Sequence, residues 1–219
     1  MTAAVSLIIP CYNQAAFVEE AIGSALAQSL APAEIVVIDD GSTDDIAPSL
    51  APFGDRVRLH RQANAGAASA RNVGLSMTCF PLVAFLDADD LWPEGSLAAR
   101  VSALIRTNAD LVFGAVANLD MRSGRREAPM PARMAGAMLA RRAVFRRVGP
   151  FNEALRSAEL IDWIDRAATA GCTIAYADDM VLLRRIHGAN MMLNAPGTAA
   201  DRMAVLRRIV AAKRLARGH

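Results

Sequence analysis

Along residues 1–90, short apolar runs alternate with stretches whose apolar residues recur every three or four positions. Val5-Ser6-Leu7-Ile8-Ile9 is largely β-branched and aliphatic and is stopped by Pro10, the pattern of a buried strand. Phe17, Val18, Ala21, Ile22, Ala25 and Leu26 then share one helical face, with Glu19 and Glu20 outside it. Glu34-Ile35-Val36-Val37-Ile38 predicts a second strand, and Thr43-Asp44-Asp45 opens a short helix closed by Pro52 and Gly54. Val57–His60 predicts a third strand, Ala65–Met77 an alanine-rich helix, and Leu82–Phe85 a fourth strand. Strands alternating with helices in this way predict an α/β fold with a mostly parallel central sheet flanked by helices.

The second half is less regular. Pro93–Arg106 reads as a helix, Asp110–Phe113 as a strand and Met121–Pro131 as a flexible loop. Arg133–Leu139 is expected as a short strand, and Arg141–Val148 as a short helix closed by Gly149-Pro150. A further helix is expected at Ser157–Ala170, with Leu160, Ile164, Ala167, Ala168 and Gly171 on one face. Thr173–Tyr176 and Met180–Ile186 are strand candidates. Ala199–Leu215 reads as a basic amphipathic helix with Met203, Leu206, Ile209 and Val210 on its apolar side. The organisation expected is one domain over residues 1–195, followed by this helix within 196–219.

Composition narrows the class. At 53% hydrophobic residues the chain can bury a sizeable core, and a net charge of +2 gives no field for nucleic acid. The charge is uneven: from Asp201 to His219 six Arg or Lys face one Asp. Cys11, Cys79 and Cys172 lie far apart without a CxxC pair, which argues against zinc and for free thiols in a reducing cytoplasm. Met1–Ala4 leads into the first strand without a basic segment, so no signal peptide is expected. No apolar run is long enough to span a bilayer.

The polar residues gather where strands end. The tips read Pro10-Cys11-Tyr12-Asn13, Asp39-Asp40-Gly41-Ser42, Asn64-Ala65-Gly66 leading to Ala70-Arg71-Asn72-Val73-Gly74, and Asp87-Ala88-Asp89-Asp90. Taken alone, Asp39–Ser42 fits a turn with a helix cap, and Asp87–Asp90 fits a helix N-terminus. A parallel sheet brings the tips to one edge, where ligands bind. There the carboxylates, Arg71, an aromatic ring and a divalent cation suit a nucleotide diphosphate: Tyr12 stacks on the base, and the cation and Arg71 offset the phosphates. The chain lacks the G-x-G-x-x-G of dinucleotide-binding folds and the G-x-x-x-x-G-K-[ST] of P-loop enzymes.

These four motifs, in this order and spacing over residues 5–95, resemble those of family-2 glycosyltransferases with the GT-A fold. A weaker likeness continues through Gly149-Pro150-Phe151-Asn152-Glu153, Glu159 to Gly171, and Arg184-Arg185-Ile186-His187-Gly188-Ala189-Asn190. The resemblance implies inverting transfer of a sugar from a nucleotide-diphosphate donor, commonly UDP-linked, to an acceptor hydroxyl. The donor half would lie at about 1–95 and the acceptor half at about 96–195. By the same resemblance Asp40 contacts the base, Pro10 and Tyr12 frame it, and Arg71 lies near base or phosphate. Asp87 lies near ribose and diphosphate, with Asn13, Asn64 and Ala88 also in donor motifs. Asp89 holds Mn²⁺ or Mg²⁺, and His187 approaches the diphosphate or the metal.

One position departs from the pattern. The base that takes the acceptor proton is usually the aspartate of a Glu-Asp pair opening the late helix, and here the pair is Glu159-Leu160. Glu159 and Asp162, three residues apart on one helix face, are the remaining candidates, with Glu159 aligned to the family glutamate. A chain with donor motifs and no base would be a nucleotide-sugar-binding protein, the alternative reading. Trp92 and Trp163 fit either a sugar-stacking or a core role. The C-terminal helix fits either a cover for the sheet or a peripheral contact with anionic lipid.

Overall fold

The computed structural model describes residues 3–155, 157–188 and 202–210. The chain runs β1 (Val5–Cys11), α1 (Ala15–Leu26), β2 (Glu34–Asp39), α2 (Ala47–Leu50), β3 (Val57–Arg61), α3 (Ala67–Met77), β4 (Leu82–Phe85) and α4 (Ser96–Thr107). It continues β5 (Leu111–Asp120), β6 (Met130–Ala132), β7 (Leu139–Arg141), α5 (Arg142–Val148), α6 (Glu159–Thr169) and β8 (Ile174–Ile186). All eight strands form one sheet, in the order β3-β2-β1-β4-β7-β5, with β6 and β8 also paired to β5. β1 runs parallel to β2 and β4, and β2 to β3. β7 is antiparallel to both β4 and β5, so β5 and its parallel partner β8 share the direction of the first four strands.

Both faces of the sheet are covered, which is why its strands read as nearly unbroken apolar runs. Side chains alternate between the faces. Leu7, Ile9, Ile35 and Val37 pack with Val18 and Ile22 of α1 and with Leu97 of α4. Ile8, Val36, Ile38 and Phe85 pack with Ala70 of α3, Phe145 of α5 and Trp163 of α6. α3 lies so close to β1 that a Cβ on Gly74 would meet Ile8 Cγ2 at 2.3 Å.

Several local expectations change. Pro10 lies inside β1, paired with Ile38, because the strand is parallel and buried on both sides and continues to Cys11. Thr43–Asp45 opens no helix; α2 starts at Ala47, and Asp44 Oδ2 instead accepts from Ala15 N at 2.8 Å, capping α1 across the tips. Met121–Pro131 is not all loop, since β6 returns antiparallel along β5 from Met130. Arg133–Leu139 is a turn of 3₁₀ helix at Ala135–Ala137, followed by β7. A side chain on Gly136 would meet Leu182 at 3.0 Å, so the turn packs tightly. The two late strand candidates are one strand, β8, with irregular register opposite Phe113–Val116. On α6 the inward face is Asp162, Trp163, Ile164 and Ala167, while Ala168 is exposed. Residues 202–210 are helical, and the rest of the expected Ala199–Leu215 helix lies outside the described residues, as do Met191 and Met192.

Candidate active site

β1 lies between β2 and β4, and the strand order reverses there, so the C-terminal tips of these strands flank a crevice. The tips are wired to each other by side chains. Asn13, at φ 53°, accepts from Thr43 N at 2.7 Å, and its own N–H donates to Ser42 Oγ at 3.0 Å. Asp39 Oδ1 accepts from Ser42 N at 2.8 Å. The buried Asp40 carboxylate accepts from Gln62 Nε2 and Ala65 N through Oδ1 at 2.8 and 2.9 Å, and from Gly66 N through Oδ2 at 2.8 Å. Asn64 Nδ2 donates to the Asp40 carbonyl at 2.9 Å. Asp40 therefore shapes the loop leading into α3. Gly41, at φ +76°, permits this crossing, since a Cβ there would stand 2.8 Å from Asn64 N.

The turn after β4 gathers the acids. Asp90 N donates to the Asp87 carbonyl at 3.0 Å, and the buried Asp90 carboxylate accepts from Arg185 N at 3.0 Å. His187 Nε2 lies 3.2 Å from Asp89 Oδ2, and its ring stacks on Phe17 at 4.5 Å between centroids. Burial, followed by the charge of Asp87, raises the Asp89 pKa, against the opposing contact with His187. Burial and then the charges of Asp87 and Asp89 hold Asp90 well above the usual carboxylate range. Ala88 is buried beneath the turn, and Tyr12 is half-buried at the β1 tip.

The buried Arg71 of α3 joins this turn to α6. Its Nη2 pairs with Asp87 Oδ1 at 2.8 Å and its Nη1 with Glu159 Oε1 at 2.7 Å. Burial disfavours its charge, but Asp87 and Glu159 outweigh that and raise its pKa. Arg71 Nε is buried without a hydrogen-bond partner. The neighbouring Asn72 ties α3 to the segment that precedes α6, exchanging hydrogen bonds with the backbone of Phe151 at 2.9 and 3.0 Å. Asp162 does not share this environment. It is 2% exposed, pairs with Arg166 Nε at 2.9 Å and is also bound by Arg208 of the C-terminal helix. Burial opposes the ionised form, but the two arginines prevail and lower its pKa.

The comparisons with known proteins can now be set beside this geometry. The model of glycosyl transferase family 2 matches residues 6–155. The chain belongs to this family. A family 2 relative from Mycobacterium bovis, a PGL/p-HBAD biosynthesis glycosyltransferase, is 34% identical over 176 residues, covering 72% of this chain and 66% of the relative. An Escherichia coli UDP-Glc:α-D-GlcNAc-diphosphoundecaprenol β-1,3-glucosyltransferase is 36% identical over 112 residues, covering 50% of this chain and 44% of that protein. For other curated relatives the matched part is as little as 18% of their length. Among solved structures, residues 1–349 of S. aureus TarS in complex with UDP-GlcNAc align with a TM-score of 0.80 at 21% identity, covering 95% of this chain and 66% of that one. That likeness is one of fold, and it is the α/β fold expected from the sequence.

The family 2 match ends at residue 155, before Glu159, Asp162, Arg185 and His187. Arg185 was given no role by the sequence. It is 1% exposed, donates through Nε to the Asp89 carbonyl, pairs with Glu20, and donates through Nη2 to the Phe17 carbonyl at 3.2 Å. It thus clamps the acidic turn to the start of α1. The signal was its position: Arg185 lies two residues before His187, at the end of β8. Both tryptophans are core residues. Trp92 donates to the Gly136 carbonyl at 3.0 Å and lies under Arg100, and Trp163 donates to the Gly149 carbonyl at 3.0 Å.

Proposed function

We propose that this chain transfers a sugar from a UDP-linked donor, the class of nucleotide sugar held by the TarS neighbour, to an acceptor hydroxyl with inversion. The observation that carries the reading is the convergence of the Asp87–Asp90 turn, His187 and Glu159 around the crevice, with Arg71 shared between Asp87 and Glu159. The orphaned Arg71 Nε suits an acceptor atom on the donor. Tyr12 at the β1 tip suits a stacked base.

Mn²⁺ or Mg²⁺ fits the donor set. Asp89 and His187 offer one oxygen and one nitrogen, and the pKa values of Asp89 and Asp90, raised first by burial and then by neighbouring carboxylates, mark negative charge that a cation would offset. Among the described residues no three such side chains enclose an ion, which leaves the remaining coordination to phosphate oxygens, as is usual for Mg²⁺. A bound cation would supply Lewis-acid stabilisation of the leaving diphosphate. Glu159 is assigned as the base, because Asp162 is taken up by two arginines while Glu159 sits beside the donor-side Asp87.

The test is turnover of a UDP-sugar panel with Mn²⁺, alongside donor affinity. Glu159→Gln should lower turnover by about 10²–10⁴-fold while leaving donor affinity intact. Unchanged turnover would remove Glu159 from the role. Leu160, where the family usually has aspartate, favours one second reading, a nucleotide-sugar-binding protein. Donor binding without hydrolysis or transfer under any condition would select it. The acceptor class proposed is a saccharide hydroxyl on a lipid carrier, the class printed in the E. coli relative's name.

A further inference from the structure

We propose that the helix at residues 202–210 seats the protein on an anionic lipid surface, with Met203, Leu206 and Val210 entering the interface. The sequence pattern leaves two roles open for this apolar stripe, a cover for the sheet or a contact with lipid. The observed helix turns Met203, Leu206 and Val210 outward. Its inner side carries Val205, 4% exposed, and Arg208, which binds the buried Asp162. Asp162 is held in place by Arg166, whose Nη1 and Nη2 donate to the carbonyls of Val148 and Pro150 at 2.8 Å each. The ion pair therefore fixes the rotation of the helix about its axis. Met203, Leu206 and Val210 are left 50%, 43% and 47% exposed. Spaced by three and four, they form one stripe, with the exposed Arg207 beside it.

The chemistry of the stripe selects its occupant. Residues 202–210 contain three arginines and no acid, and Lys213, Arg214 and Arg217 follow in the sequence. A symmetric contact with a second copy would set these arginines against each other, and so short a stripe falls well below the roughly 800 Å² per partner of a stable protein interface. Anionic headgroups neutralise the arginines instead, while the apolar stripe enters the acyl boundary, the arrangement of an interfacial helix. Asp162 stands one turn from Glu159 on α6, so the contact brings the acceptor side of the crevice toward the lipid. That last consequence rests on the proposed transfer reaction, whereas the docking itself does not.

The experiment is co-sedimentation of the full 219-residue chain with vesicles of phosphatidylcholine alone or mixed with phosphatidylglycerol. The chain should bind the anionic vesicles and be released as salt rises, since charges are screened beyond about 8 Å at physiological ionic strength. Replacing Met203, Leu206 and Val210 together by Ser should weaken binding about tenfold or more, with thermal stability and nucleotide-dependent stabilisation unchanged. If that variant folds poorly, Arg207→Glu, on the exposed surface, should still weaken binding and make what remains less sensitive to salt. Equal binding to both vesicle types, or wild-type binding by the variants, overturns the proposal. So does a dimer in sedimentation analysis that the Ser variant dissociates, which would assign the stripe to a second copy. Vesicle binding is read without turnover, so a failed donor assignment and a failed membrane assignment give different results.

Discussion

Three ion pairs hold the two acids of α6 that were candidates for the base, with opposite consequences. Arg71 draws Glu159 toward the crevice, whereas Arg166 and Arg208 draw Asp162 away from it. Asp162→Asn should therefore leave donor affinity intact and loosen the C-terminal helix, seen as faster hydrogen exchange across 202–210. Gly74→Ala should destabilise the fold by about 1–3 kcal/mol in denaturant unfolding, because the new methyl meets Ile8 in a packed interior. Burial, and after it the charges of Asp39 and Asp44, push the Cys11 thiol up to about 12; the exposed Cys79 should react with iodoacetamide at neutral pH while Cys11 does not. The residue types at the tips were legible in the sequence. Their partners were not, since Asp162 and Arg208 lie 46 positions apart and only the folded chain brings them together.

Elements buried on both faces were the legible ones. β1, β2 and β4 announce themselves as apolar runs, and the residues just past them mark the edge of the sheet. β6 and β7 carry no such signal, being three-residue strands held by pairing with β5 and β4. The start of β2 shows how a single acid can join elements. Glu34 accepts from Ser6 Oγ at 2.6 Å and from Cys79 N at 2.8 Å, and pairs with Arg58 at 2.7 Å. Burial alone would raise its pKa, but these partners bring it below the ordinary value of 4.5. A folded pKa below the unfolded one contributes stability that is present above 4.5 and lost as pH falls through the folded value. Glu34→Gln should accordingly flatten the decline of the unfolding midpoint below about pH 4.5, measured by denaturant titration at stepped pH.

At the scale of the molecule, the strand tips of the first half and the elements around α6 in the second meet through α3. Arg71 reaches Asp87 and Glu159, and Asn72 fastens Phe151, so one helix registers both sides of the crevice. Arg71→Met should remove nucleotide binding and also lower the melting temperature, because it strands two acids that are largely withdrawn from water. Arg71→Lys should recover part of the stability and little of the binding, since an ammonium lacks the planar fork that spans both carboxylates.

The clamp made by Arg185 has a consequence for the order in which the protein matures. A ribosome delivers the acidic turn and its three companion tips early, and Glu159, Arg185 and His187 about seventy to a hundred residues later. Through that interval the turn after β4 has neither the guanidinium that fastens its backbone to α1 nor the imidazole beside Asp89. Nascent chains arrested with residue 155 just exposed should show a formed β1–β4 layer by limited proteolysis and no retention on a UDP matrix. Chains arrested with residue 188 exposed should gain both protection of the turn and retention. Nucleotide recognition would then be acquired well after the motifs that announce it have been made.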